Sequence, residues 1–222
     1  MMEELIYKNN LNQDWISFIF FINLIILTVI FKINPPRFKS ITLFYSSDIY
    51  IKRFSNEKKF NMISAYNILC FIITISTLCL FLILLLEYNY KTLLFAFEYY
   101  YLFSSLILML SSRYIFIQFL INQLKINHNY RIGILKNFIN NFRFALFYLI
   151  FLLIVNYVEI QNKQFLLFTL CYLIIWVFYQ FRILILLFKS NPQQILYIII
   201  YLCTLRLLPW YWFYILILEP WL

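Results

Sequence analysis

The sequence predicts an all-α, polytopic integral membrane protein of about six transmembrane helices, with both termini on the trans side of the membrane. Three observations carry this. Of 222 residues, 64% are hydrophobic, 23% aromatic and 12% charged, whereas soluble domains average about 45–50% apolar and 25% charged residues. A chain this short cannot hide so much apolar surface from water, so its solvent is lipid. Six segments approach the roughly 20 helical residues that cross a hydrocarbon core. Finally, the basic residues fall in alternate connections, the pattern an even number of crossings produces when Lys and Arg stay on the cis side.

The whole chain reads as one membrane domain, and its first expected span is 15–33. It is longer than a signal-peptide core of about 7–15 residues and no small-residue cleavage site follows it, so it reads as a genuine crossing. Asn34-Pro35-Pro36 stops it, because proline lacks an N–H and restricts the residue before it. A basic inner-side loop, 34–62, comes next. This first connection holds Lys32, Arg37, Lys39, Lys52, Arg53, Lys58 and Lys59, interleaved with Phe38, Phe44, Tyr45, Tyr50 and Phe54. Such a mixture suits an amphipathic helix lying on anionic lipid, a partner-binding surface, or a solvated loop that only sets topology. Arg37, Lys39, Lys52, Arg53, Lys58 and Lys59 are the candidate phospholipid contacts, with cardiolipin the expected kind of lipid.

The second span, 63–86, carries no charge, and the third, 92–112, contains Glu98. A second basic inner-side loop, 113–143, holds Arg113, Lys125, Arg131, Lys136 and Arg143. Within it, residues 114–124 are too apolar for a loop and are expected to prolong the third helix or lie along the surface. Gly133, after Asn127-His128-Asn129, marks an expected turn. The fourth span, 144–158, is short unless it begins nearer Phe138. The fifth is 165–188, with Arg182, and the sixth 195–218, with Arg206 and Pro209. The connections assigned to the trans side hold only Lys8, Lys91 and Lys163.

Ordinary catalysis finds little support. His128 is the one histidine, and Cys70, Cys79, Cys171 and Cys203 lie in apolar runs without a paired motif, so the cysteines read as small core residues. One glycine cannot build a phosphate-binding loop, and no nucleophile–base pair stands out. The expectation is no catalytic residue, no metal ligand, no cofactor beyond phospholipid, and no evident small-molecule substrate. The net charge of +9 reads as a topology signal and not as a nucleic-acid footprint. Nor are there two inverted halves with matched broken helices, the pattern of many transporters.

What remains are ionisable residues at membrane depth, which are costly and therefore functional suspects. Glu98 could pair with an arginine or serve one step of a proton path, and Arg182 can snorkel to the inner interface. Arg206 at the midplane would cost about 2.5–3.5 kcal/mol. If its helix ends near Leu208 it reaches the outer headgroups instead, as an anchor or intersubunit contact, which the trans-side C-terminus favours. The aromatic end then becomes a docking surface, with Pro209, Trp210, Trp212 and Trp221 as candidate partner contacts.

Composition carries one more signal. There are 38 Ile against 4 Val, one Gly and three Ala, although lipid hardly distinguishes Ile from Val and membrane helices favour small residues for close packing. Phe, Ile, Leu, Tyr, Asn and Lys, all reachable with A/T-rich codons, dominate. In this the whole chain resembles the mitochondrially encoded orphan membrane proteins of ciliates. The resemblance implies a non-catalytic, multi-pass subunit that scaffolds a respiratory-chain complex in the mitochondrial inner membrane, with the complex's other subunits as partners. A membrane-sector subunit of the ATP synthase, accessory or proton-channel related, is an alternative. Thr204-Leu-Arg206-Leu looks like the segment around that channel's essential arginine, but the polar residues and glycine that follow in that family are replaced by Leu208-Pro-Trp-Tyr-Trp. A diverged proton-pumping core subunit or small transporter is a third reading. It would need several buried Lys, Glu or His, where this chain offers Glu98.

Overall fold

A computed structural model describes residues 14–42, 64–90, 96–123, 128–158, 162–190 and 208–215. Helix α1 is Asp14–Ile33, α2 Pro35–Thr42, α3 Ala65–Tyr90, α4 Ala96–Gln123, α5 His128–Tyr157, α6 Asn162–Ser190 and α7 Leu208–Phe213. The described residues contain no strand. Among the described residues, four helical stretches are long and apolar enough to cross a membrane: Trp15–Ile33, Ala65–Leu86, Leu135–Tyr157 and Gln164–Arg182. The chain is a helical membrane protein.

Paired contacts give the helix directions. Asn23 of α1 meets Ser76 of α3, and Tyr99 of α4 meets the same serine. Phe71 of α3 touches Tyr114 of α4, and Tyr114 touches Phe138 of α5. Phe81 of α3 touches Tyr148 of α5, while Tyr148 and Asn141 of α5 meet Thr169 and Gln180 of α6. Hence α1, α4 and α6 run one way and α3 and α5 the other. Helix α3 packs against α1, α4 and α5, most extensively against α5, and α6 packs chiefly on α5. Burial follows this order, with half of the α3 span and 56% of the α5 span covered, but 28% of α1 and 17% of α6.

The centre of the bundle is built from residues without charge. Ile75, Cys79, Leu80 and Ile83 of α3, Leu102 and Leu106 of α4, Leu149 and Leu152 of α5 and Phe165 of α6 form one buried cluster. In lipid there is no hydrophobic gain in bringing such helices together, so shape and a few hydrogen bonds decide the packing. With few small residues, this chain interlocks rings. Phe144 meets Tyr172 and Tyr179 edge-on, Tyr148 lies 4.4 Å from Tyr172, and Phe151 stacks on Phe165 at 6.2 Å. Such offset or edge-on pairs are favourable because the rings' electrostatic faces and edges complement each other.

Several sequence expectations change. The fourth span begins at Leu135, not 144, and it belongs to a helix that starts at His128. The basic inner-side loop expected over 113–143 is helical at 113–123 and 128–143; within it Asn141 and Arg143 bond to groups of α6 and α2 inside the bundle. His128 opens α5, and Gly133 is buried within α5 and makes no turn there. Of the span expected at 92–112, residues 96–112 lie in α4. Of the expected span 195–218, residues 208–213 form α7, and those before 208 lie outside the described residues. Within the loop expected over 34–62, residues 35–42 are helical and 43–63 lie outside the description.

Candidate functional site

The most elaborate polar construction stands where α2 meets α5. Asn34 ends one helix and starts the next. Its N–H donates to the Ile30 carbonyl at 3.3 Å, completing α1, while its Oδ1 accepts the Arg37 N–H at 3.1 Å and its carbonyl accepts the Phe38 N–H at 3.0 Å. This is N-capping by asparagine, and Pro35 takes the first helical position, where its missing N–H costs nothing. Phe31 and Phe38 then meet edge-on at 5.8 Å, so α2 turns back toward α1. Ile41 joins Ile30, Tyr66, Cys70, Ile73, Leu135, Ile139 and Phe142 in a second buried cluster.

A helix that ends inside a bundle leaves carbonyls without partners. Arg143 of α5 supplies them: its Nε donates to the Ile41 carbonyl and its Nη2 to the Ser40 carbonyl at 3.3 Å. Arg143 is only 5% exposed. It stands about 12 Å along the span that begins at Leu135, at roughly 1.5 Å per residue. The guanidinium is thus a cation facing the negative end of a helix, an arrangement the peptide dipoles favour. Nearby, the Arg37 guanidinium lies over the Tyr66 ring, 4.9 Å from its centroid, a cation–π contact. The start of α3 is fixed alongside, since Ser64 caps it by accepting the Asn67 N–H at its Oγ and the Ile68 N–H at its carbonyl.

A second polar group crosses the centre. Asn23 Nδ2 donates to Ser76 Oγ at 2.8 Å, Ser76 Oγ and Tyr99 OH share a bond at 3.0 Å, and Cys79 Sγ donates to the Tyr99 carbonyl at 3.6 Å. One serine therefore joins α1, α3 and α4. Asn23 is 1% exposed, and its Oδ1 finds no hydrogen-bond partner. A third group runs between α5 and α6. Asn141 Oδ1 accepts from Gln180 Nε2 at 2.7 Å and from Trp176 Nε1 at 3.2 Å, while Tyr148 and Thr169 share a hydroxyl bond at 3.2 Å. At the far end, Tyr157 OH donates to Ser17 Oγ at 3.0 Å and joins α5 to α1. Chemically these groups are amides and hydroxyls that tie helices together in fixed register. Among the described residues no three His, Cys, Asp or Glu side chains gather.

Most residues singled out from sequence lie elsewhere. Glu98 is in the first turn of α4, with its side chain outside the description. Arg182 is exposed on α6. Arg37, a candidate lipid contact, is buried against Tyr66, whereas Lys39 is exposed. Pro209 and Trp210 of α7 are half-buried, Trp210 against the main cluster, and Trp212 points outward. The buried member of the tail is Phe213. Arg206, Trp221, Lys52, Arg53, Lys58 and Lys59 lie outside the described residues. Arg143 was missed as a site because it was counted as a loop charge. Its signal was length: a span of 144–158 is too short to cross, so the helix had to take in Arg143 and the asparagines before it. In comparisons with known protein families, curated proteins and solved structures, nothing matches this chain.

Proposed function

We propose that this protein is a non-catalytic, multi-pass subunit that scaffolds a large respiratory-chain complex in the mitochondrial inner membrane, with six crossings and both termini in the intermembrane space. The observation that supports it most is the uncovered side of α6. Leu167, Phe168, Leu170, Ile174, Phe178 and Phe181 are each more than half exposed, and only 17% of the span is covered by the rest of the chain. A helix held on one side only, rich in large rings and poor in polar groups, is suited to lie against other membrane subunits. The interior points the same way. Asn23, Ser76, Tyr99, Asn141 and Gln180 join helices, and the buried Arg143 and Arg37 are engaged with carbonyls and a ring.

The skewed composition supports the mitochondrial setting, since very hydrophobic chains are those expected to remain encoded in the organelle. The test is mass spectrometry of native-gel bands from detergent-solubilised membranes. The scaffold reading expects the chain in a band with respiratory-chain subunits. Co-migration with the ATP synthase would move it to that assembly, and migration as a free monomer would end the subunit reading.

A further inference from the structure

We infer that Arg113 holds the phosphate of an anionic phospholipid at the side of α4. The inward stripe of α4 runs through Tyr99, Leu102 and Leu106, all buried, and then Met109 and Leu110, which pack against the same cluster. Steps of three and four residues keep to one helix face, so the next member of this stripe is Arg113. Its Nε is sealed from solvent and has no hydrogen-bond partner. Among the described residues, the guanidinium makes no hydrogen bond and no ion pair. Its neighbours Ser111 and Ser112 are occupied, their hydroxyls donating to the Leu108 and Met109 carbonyls at 3.3 and 2.9 Å.

Arg113 as a whole is half-buried, and a cation with one sealed, unpartnered nitrogen is stabilised by an anion, of which the chain supplies few at this end. Lys32, Lys39, Arg113, Lys136 and Arg182 all belong to the end of the bundle where α1, α4 and α6 finish and α3 and α5 begin. The acidic residues within the described helices, Asp14, Glu87 and Glu98, occupy the opposite ends of α1, α3 and α4. Only Asp48 and Glu57 lie in the connection between α2 and α3.

Depth fits a headgroup. Tyr114, beside Arg113, touches Phe71, which is about 9 Å from the Ala65 end of the α3 span at roughly 1.5 Å per residue. An arginine side chain covers most of that distance. The planar guanidinium fork matches two oxygens of a phosphate, and the surrounding lysines raise the local concentration of anionic lipid. The inference does not depend on the scaffold reading, because a lipid can occupy this position with or without a partner subunit.

The experiment is native mass spectrometry of the full chain in detergent, titrated with cardiolipin, phosphatidylglycerol or phosphatidylcholine. Wild type should retain the two anionic lipids and not phosphatidylcholine. Arg113→Gln should weaken retention by at least about tenfold, the loss of one charge-assisted contact. Arg113→Lys should fall between, and Lys39→Gln should change it by less than about twofold. An unchanged melting temperature of Arg113→Lys guards against misfolding. Retention equal in wild type and Arg113→Gln would overturn the inference, as would equal uptake of phosphatidylcholine. So would displacement by millimolar inorganic phosphate, which would assign the position to a free anion.

Discussion

Replacing Arg143 with methionine should release α2. The wild-type guanidinium serves two carbonyls, Ile41 and Ser40, at the last turn of a helix held inside the bundle. Hydrogen bonds to charged groups contribute about 1.5–3 kcal/mol each, and a cation at a partly buried helix C-terminus up to about 2 kcal/mol. These overlap, because the same contacts carry the dipole term, and methionine recovers part of the packing. A net loss of about 2–4 kcal/mol is expected, which raises the opening equilibrium of α2 roughly 30-fold to several hundred-fold at about 1.4 kcal/mol per factor of ten. Hydrogen exchange in detergent or nanodiscs reads this directly at the Arg37, Phe38 and Lys39 amides, with the α6 amides as an internal standard. Arg143→Lys should fall between, since an ammonium keeps the charge but cannot fork across two carbonyls. Unchanged exchange in Arg143→Met, or a higher melting temperature, would refute the reasoning. It would mean that the desolvation cost of the guanidinium outweighs its contacts, as happens for some buried ion pairs.

Three further outcomes follow from the packing. Ser76→Ala removes the one group that joins α1, α3 and α4; at about 0.6 kcal/mol per membrane interhelical bond it should cost roughly 1 kcal/mol, whereas Asn23→Leu, which also removes an unsatisfied Oδ1, should cost less, both read as shifts in thermal unfolding midpoint. Leu152→Ala, at a fully buried position of α5, should lose about 1–3 kcal/mol, the cavity term without the water-transfer term, while Ile174→Ala on the outer side of α6 should leave the isolated chain unchanged and weaken its retention in an assembly, measured by native gel. Phe213→Ala should detach α7 and expose the residues it covers to membrane-soluble labels, and Trp212→Ala should not, because Phe213 packs inward and Trp212 outward.

The parts of this fold visible in the sequence are those that depend on local composition. The first span, expected at 15–33, and the second, expected at 63–86, coincide within two residues with Trp15–Ile33 and Ala65–Leu86, because nothing polar interrupts them except groups that bond within the bundle. The extents of α4 and α5 were hidden for the opposite reason. Lys136, Asn140, Asn141 and Arg143 look like a loop when read as a string, yet Asn141 meets Trp176 and Gln180 and Arg143 meets carbonyls 102 and 103 residues away. No local pattern reveals such partners. Asn34-Pro35-Pro36 was read correctly as a stop, but the same three residues are also a start, since a capping asparagine followed by proline opens α2. In the tail, the tryptophans drew attention by size, whereas helical spacing selects Trp210 and Phe213 for the inner side and leaves Tyr211, Trp212 and Tyr214 outside.

In the proposed scaffold role, the open side of α6 is covered by another membrane subunit. Cys171 is a native reporter there: a free, exposed thiol among Leu167, Leu170 and Ile174. A thiol-directed photocrosslinker attached to Cys171 in intact membranes, followed by mass spectrometry of the adducts, should give one discrete protein partner, and Cys171→Ser should abolish it. Adducts with lipid alone, in membranes where the chain is otherwise intact, would contradict the scaffold account.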